Sequence, residues 1–134
     1  MSNTGYALAG FVSWALFLLV VMEAIRTYLV ATGKVAANAF APDNSGLSPF
    51  MQRLARAHAN CVEGLPIFGG LLAIAIMVSR TDVTDPLAFW FLGARIVQSI
   101  IHLASNSPTA VSLRFTAFAV QMAIGIYWSW KLMV

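Results

Sequence analysis

The chain has 134 residues, of which 60% are hydrophobic and only 10% charged. A soluble domain carries about 25% charged residues, so this composition belongs to a single-domain integral membrane protein. The net charge of +3 is too small to suggest nucleic acid, and the lone Cys61 excludes an internal disulfide framework.

Residues 1–4 form a short polar end, and an uncharged run follows from Gly5 to Met22. The apolar pattern continues to Val30, so the first helix is expected over about 5–30. That length suffices for a hydrocarbon core of about 30 Å, which needs about 20 residues. A cleavable leader is disfavoured, because no positive region precedes the run and Glu23 and Arg26 follow within the helical pattern. These two residues stand at i, i+3 and can pair with each other or with other helices at the polar end of the membrane. Residues 32–48 contain Gly33, Lys34, Asn38, Pro42, Asp43, Asn44 and Gly46 and read as the longest loop.

Ser48 and Pro49 supply an N-cap and a first helical residue for a second helix over 49–78. At 1.5 Å per residue it is about 45 Å long, more than the hydrocarbon core. Its charged first half therefore projects to water or lines a cavity. Pro66 is expected to kink it, and Gly69-Gly70 permit close packing. Cys61 lies off the charged stripe and reads as a small buried hydrophobe. Residues 80–86 read as a loop, with Thr84 or Asp85 capping a third helix over 86–104 and Pro86 opening it. After the turn at Ser105 to Pro108, a fourth helix covers about 108–132. Tyr127, Trp128 and Trp130 with Lys131 are expected to form an interfacial belt, and Trp14 to pack within the bundle. The architecture expected is all-α, a four-helix membrane bundle within residues 1–134.

Polar residues recur on one face of three of these helices. Arg56, Asn60 and Glu63 stand at i, i+4 and i+7; Arg95, Gln98 and His102 at i, i+3 and i+7; Arg114 and Gln121 at i and i+7. Charge at membrane depth is costly and needs a partner or a task. An arginine fork, an amide and a carboxylate can hold a zwitterionic, peptide-like ligand. The alternative is ion pairing between helices with no ligand. For His102 the choice is between a hydrogen bond to a substrate or thiol and a polar pair between helices. No glycine-rich nucleotide loop, C-x-x-C or H-E-x-x-H motif occurs, and the two histidines lack metal-ligand spacing. Arg26, Lys34, Arg53 and Arg56 flank the first loop and Arg114 the third, whereas the second has only Arg80 beside Asp82 and Asp85. The positive-inside rule puts loops one and three in the cytoplasm and both termini outside.

The run Arg56-Ala57-His58-x-Asn60-x-x-Glu63-x-x-Pro66 closely resembles the signature of the MAPEG family, the membrane-associated proteins of eicosanoid and glutathione metabolism. Ala39 to Asp43 resembles the first loop of bacterial members, and length and hydrophobic segments agree along most of the chain. The resemblance implies a homotrimer with glutathione as co-substrate, bound between subunits and open to the cytoplasm. In a bacterium it implies the inner membrane. It implies that Arg56, Asn60 and Glu63 hold glutathione, that Lys34 reaches its carboxylate, and that Arg95, Gln98 and His102 border it. By the same resemblance Arg114 is the catalytic arginine that places and activates the thiol.

Gln98, His102, Gly64 and Phe115 depart from the eicosanoid-forming members. They disfavour eicosanoid synthesis, while the retained Arg56, Asn60, Glu63 and Arg114 favour a membrane-bound, detoxifying glutathione transferase or peroxidase acting on lipophilic electrophiles. The alternative, which Gln98, Gly64 and Phe115 favour, is a non-catalytic scaffold member of the family that holds a lipid between its helices. A small transporter fits the intramembrane charges, but the chain has no inverted repeat of helix pattern.

Overall fold

A computed structural model describes residues 1–134. It contains four helices long and apolar enough to cross a membrane: α1 (Asn3–Ala31), α2 (Pro49–Met77), α3 (Thr81–Ala104) and α4 (Pro108–Met133). There are no strands. The protein is an integral membrane protein of all-α architecture.

Local chemistry sets most of the boundaries. Ser2 Oγ accepts from the Gly5 amide at 3.0 Å, Ser48 Oγ from Met51 at 3.2 Å and Ser107 Oγ from Ala110 at 3.2 Å. Each satisfies an amide that has no partner inside its own helix. Proline follows the cap in α2 and α4. Pro66 cannot donate to the carbonyl one turn earlier, and the expected irregularity appears there as one π turn, Leu65–Gly69, inside α2.

α3 begins earlier than its sequence signals indicate. It starts at Thr81, so Pro86 lies inside the helix and Thr84 and Asp85 do not cap it. Their side chains serve α1 instead. Asp85 Oδ1 accepts from the Thr4 amide at 2.8 Å and from Thr4 Oγ1 at 2.6 Å, and Thr4 Oγ1 lies 2.6 Å from Thr84 Oγ1. A carboxylate at the start of α1 also complements that helix's positive end. Tertiary contact thus overrides the local capping pattern.

The loop at residues 32–48 is tied down by Arg26. Its guanidinium donates to Glu23 at 3.1 Å, to the Ala41 carbonyl at 3.3 Å and through Nε to Asn44 Oδ1 at 3.0 Å. Asn44 is fully buried with φ +58° and donates onward to the Met51 carbonyl at 2.7 Å. Asparagine tolerates this left-handed geometry better than most residues. Nearby, the exposed Asp43 accepts from the Ser45 amide, which holds its carboxyl below the usual carboxylate range.

α3 is the central helix and packs on the other three. In lipid, apolar contact alone gives little drive for helix association, so close fit and polar bonds must supply it. The fit is aromatic at mid-depth. Phe91 of α3 has ring centroids 5.7 Å from Phe11, 5.1 Å from Phe68 and 5.5 Å from Trp128. Trp128 is completely buried, so it belongs to this cluster and not to an interfacial belt. Tyr127 and Trp130 are exposed as the belt requires. Gly125 of α4 lets the Phe68 ring approach; a Cβ there would lie 2.9 Å from a ring carbon. Beyond that contact the two helices diverge, because the first half of α2 packs on α1 and α3 and stands off from α4.

Candidate functional site

The divergence of α2 and α4 opens a groove of about 610 Å³. This lies within the usual range for small-molecule sites. Asn60, Glu63 and Gly64 form its polar end. Ile67 and Leu71 of α2 face Phe118, Met122 and Ile126 of α4 along the remainder. The spacing of three and four residues on both helices makes one continuous face of each.

A buried polar cluster sits behind the polar end. Arg95 Nη1 donates to Asn60 Oδ1 at 2.5 Å, and Gln98 Nε2 donates to the same oxygen at 3.1 Å. Gln121 Nε2 donates to Gln98 Oε1 at 2.8 Å. Three helices are thereby bonded through four side chains. Polar bonds of this kind help to specify helix packing in a membrane.

Arg95 is 1% exposed and faces no carboxylate. Its guanidinium carbon lies 5.2 Å from the Phe11 ring centre and 5.9 Å from those of Phe68 and Phe118. Three ring faces replace part of the lost hydration. Nε and Nη2 nevertheless make no hydrogen bond. Gly64 explains how the guanidinium fits. A Cβ at that position would lie 2.7 Å from Nη2, so any larger residue displaces the arginine.

A second layer lies one helical turn nearer the first and third loops. His102 is buried, its Nε2 has no partner, and it lies within the electrostatic reach of Arg114 and Arg56. Arg114 is half-buried and its Nη1 is also without a partner. Arg56 is exposed and makes no ion pair. The result is a basic layer over an amide layer, beside an apolar groove. Such a layer suits an anionic ligand.

The residues expected from sequence are therefore only partly assembled. Asn60, Arg95 and Gln98 are bonded together, with His102, Arg56 and Arg114 above them. Glu63 borders the groove but is exposed and accepts from neither Arg56, Arg95 nor Arg26, so the interhelical ion pair weighed as the alternative does not form. Lys34 is exposed, stands 5.6 Å over the Tyr28 ring, and shares no bond with the cluster. Arg53 serves the fold, donating through Nε to the last-turn carbonyl of Leu103 at 2.8 Å. Cys61 is fully buried beside Ser99 Oγ at 3.4 Å, as a small core residue. Gln121 joins the cluster although the sequence offered only its place two turns after Arg114. An amide in the middle of the uncharged run from Phe115 to Trp130 was the available signal.

Fold and site together define a polytopic four-helix membrane protein with a groove beside buried cationic and amide groups. The family model of the MAPEG family matches residues 4–134, essentially the whole chain, and the protein belongs to that family. No curated protein and no solved structure matches the chain.

Proposed function

We propose that this protein is a membrane-bound glutathione transferase or peroxidase that acts on lipophilic electrophiles. One observation carries the reading. Arg56 and Arg114 make no ion pair and stand one helical turn before Asn60 and Phe118 of a mostly apolar groove, and His102 stands one turn beyond Gln98. Glutathione offers two carboxylates, an amine and a thiol. The unpartnered nitrogens of Arg114 and His102 fit its anionic groups, and Glu63 on the groove wall fits its amine. Arg56 and Asn60 would fix the peptide, with Lys34 reaching a carboxylate from the first loop. Arg114 would act on the thiol. A free thiol has a pKa near 8.5, and a guanidinium beside it favours the thiolate nucleophile by charge and hydrogen bonding. Arginine stays protonated, so it stabilises the anion and does not serve as a base. The electrophile would enter from the lipid along Phe118, Met122 and Ile126.

The test is glutathione titration of the detergent-purified protein, followed by thiolate absorbance. Saturable binding with a rise in absorbance is expected. Glu63→Gln is expected to weaken binding tenfold or more, since a charged hydrogen bond contributes about 1.5–3 kcal/mol. Unchanged affinity in the folded variant would assign Glu63 to another role. The mostly apolar groove walls favour the second reading, a non-catalytic lipid-binding scaffold protein; lipid binding with no thiolate signal would establish it.

We also propose a homotrimer with the basic layer facing the cytoplasm. Arg56 and Glu63 are exposed on the single chain. Within a membrane such groups are too costly to leave against lipid, so a neighbouring copy would cover them. Native mass spectrometry in mild detergent is expected to give the mass of three chains. A monodisperse monomer or dimer would refute this.

A further inference from the structure

A side-chain amide has one accepting and one donating end, and the amide cluster can be read in only one direction. Arg95 can only donate, so the Asn60 atom 2.5 Å from its Nη1 is the oxygen. Gln98 approaches that same oxygen at 3.1 Å and must do so with its nitrogen. This turns Gln98 Oε1 the other way, toward Gln121, which must donate to it at 2.8 Å. The same Gln121 nitrogen lies 3.1 Å from the Ala117 carbonyl, which can only accept. A donor-only group at one end and an acceptor-only group at the other thus require the same orientation. Reversing any member would set donor against donor or oxygen against oxygen. Gln98 is 5% exposed and Gln121 fully buried, so water cannot repair such a mismatch. Neither glutamine lines the groove, whereas Asn60 does. With Oδ1 occupied by two donors, the free end of Asn60 is its Nδ2.

We propose that Gln121 and Gln98 are positioning residues which, with Arg95, lock Asn60 so that its amide N–H groups are offered to the groove. The groove then selects, at that point, a ligand group that accepts hydrogen bonds: a peptide carbonyl or a carboxylate. A group that can only donate, such as an ammonium, is rejected there and directed to Glu63. The choice of glutathione as probe rests on the function proposed above; the direction of the relay does not.

Two measurements test it. Hydrogen exchange of ¹⁵N-labelled side-chain amides, assigned by single substitutions, is expected to show Asn60 exchanging with water and Gln98 and Gln121 protected. A protected Asn60 with an exchanging Gln121 would overturn the relay whether or not glutathione binds. In the second, Gln121→Met is expected to weaken glutathione binding about fivefold, the worth of one neutral hydrogen bond. In an Asn60→Ala background the same substitution is expected to change affinity by less than about twofold, because its effect passes through Asn60. An equal loss in both backgrounds would make Gln121 merely structural and refute the proposal. If wild-type protein binds no glutathione, the enzyme reading fails, and the exchange pattern alone decides the relay.

Discussion

Arg114→Ala and Arg114→Lys are both expected to keep the fold, to abolish most of the thiolate absorbance, and to lower conjugation of a chloro-nitrobenzene about 10²-fold. That is the effect of removing one preorganised electrostatic donor from a reaction centre. The expectation rests on where the side chain sits. Arg114 lies in the second turn of α4, half-buried, with Nη1 sequestered and unbonded. An arginine retained only to anchor the helix would extend its head to the headgroup region, and lysine would replace it. Lysine keeps the charge but loses the planar fork, so failure of Arg114→Lys separates geometry from charge. Wild-type turnover and thiolate signal in both variants would refute the mechanism.

Arg95→Met is expected to leave the melting temperature unchanged or raise it, while glutathione affinity falls about tenfold or more. A buried charge without a counter-ion costs the fold, and apolar replacements of buried ionic groups are often neutral or stabilising. Arg95 has three aromatic neighbours and one amide oxygen, but two of its nitrogens are unsatisfied. Methionine can fill the space between the Phe11, Phe68 and Phe118 rings, and sulfur tolerates ring contact. Asn60 Oδ1 would lose its charged donor, and the amide relay one of its two fixed ends. The loss of affinity follows from a bond to a charged group worth about 1.5–3 kcal/mol. A fall of the melting temperature by many degrees would show that Arg95 holds the bundle together. Stability gained against function lost is the pattern expected of a residue kept for binding.

The four spans were legible because hydropathy and caps are local properties. Ser48-Pro49 and Ser107-Pro108 start their helices through bonds within the first turn. The boundary of α3 was not legible, because Asp85 and Thr84 bond across to Thr4, about eighty positions earlier in the chain. Trp128 looked interfacial from its neighbours Tyr127 and Trp130, but helical rotation turns it inward onto Phe91. Arg26 and Glu23 were recognisable as a pair, while the bonds from Arg26 to Asn44 and Ala41 required the folded loop.

The sequence by itself determined that this is a four-helix membrane protein, and which faces of its helices carry polar groups, because periods of three and four residues need no tertiary information. It also carried the motif from Arg56 to Pro66 that marks the family. Only the tertiary structure decided which polar groups meet. Asn60 is bonded to Arg95 and Gln98, Glu63 is left free on the groove, and Lys34 stands apart. The physical reason lies in the distances between helix axes. A face is set by rotation about one helix, but a hydrogen bond of about 3 Å depends on how closely two helices approach. That approach is governed here by Gly64 under Arg95 and Gly125 under Phe68, whose missing side chains matter only once the neighbouring helix is in place.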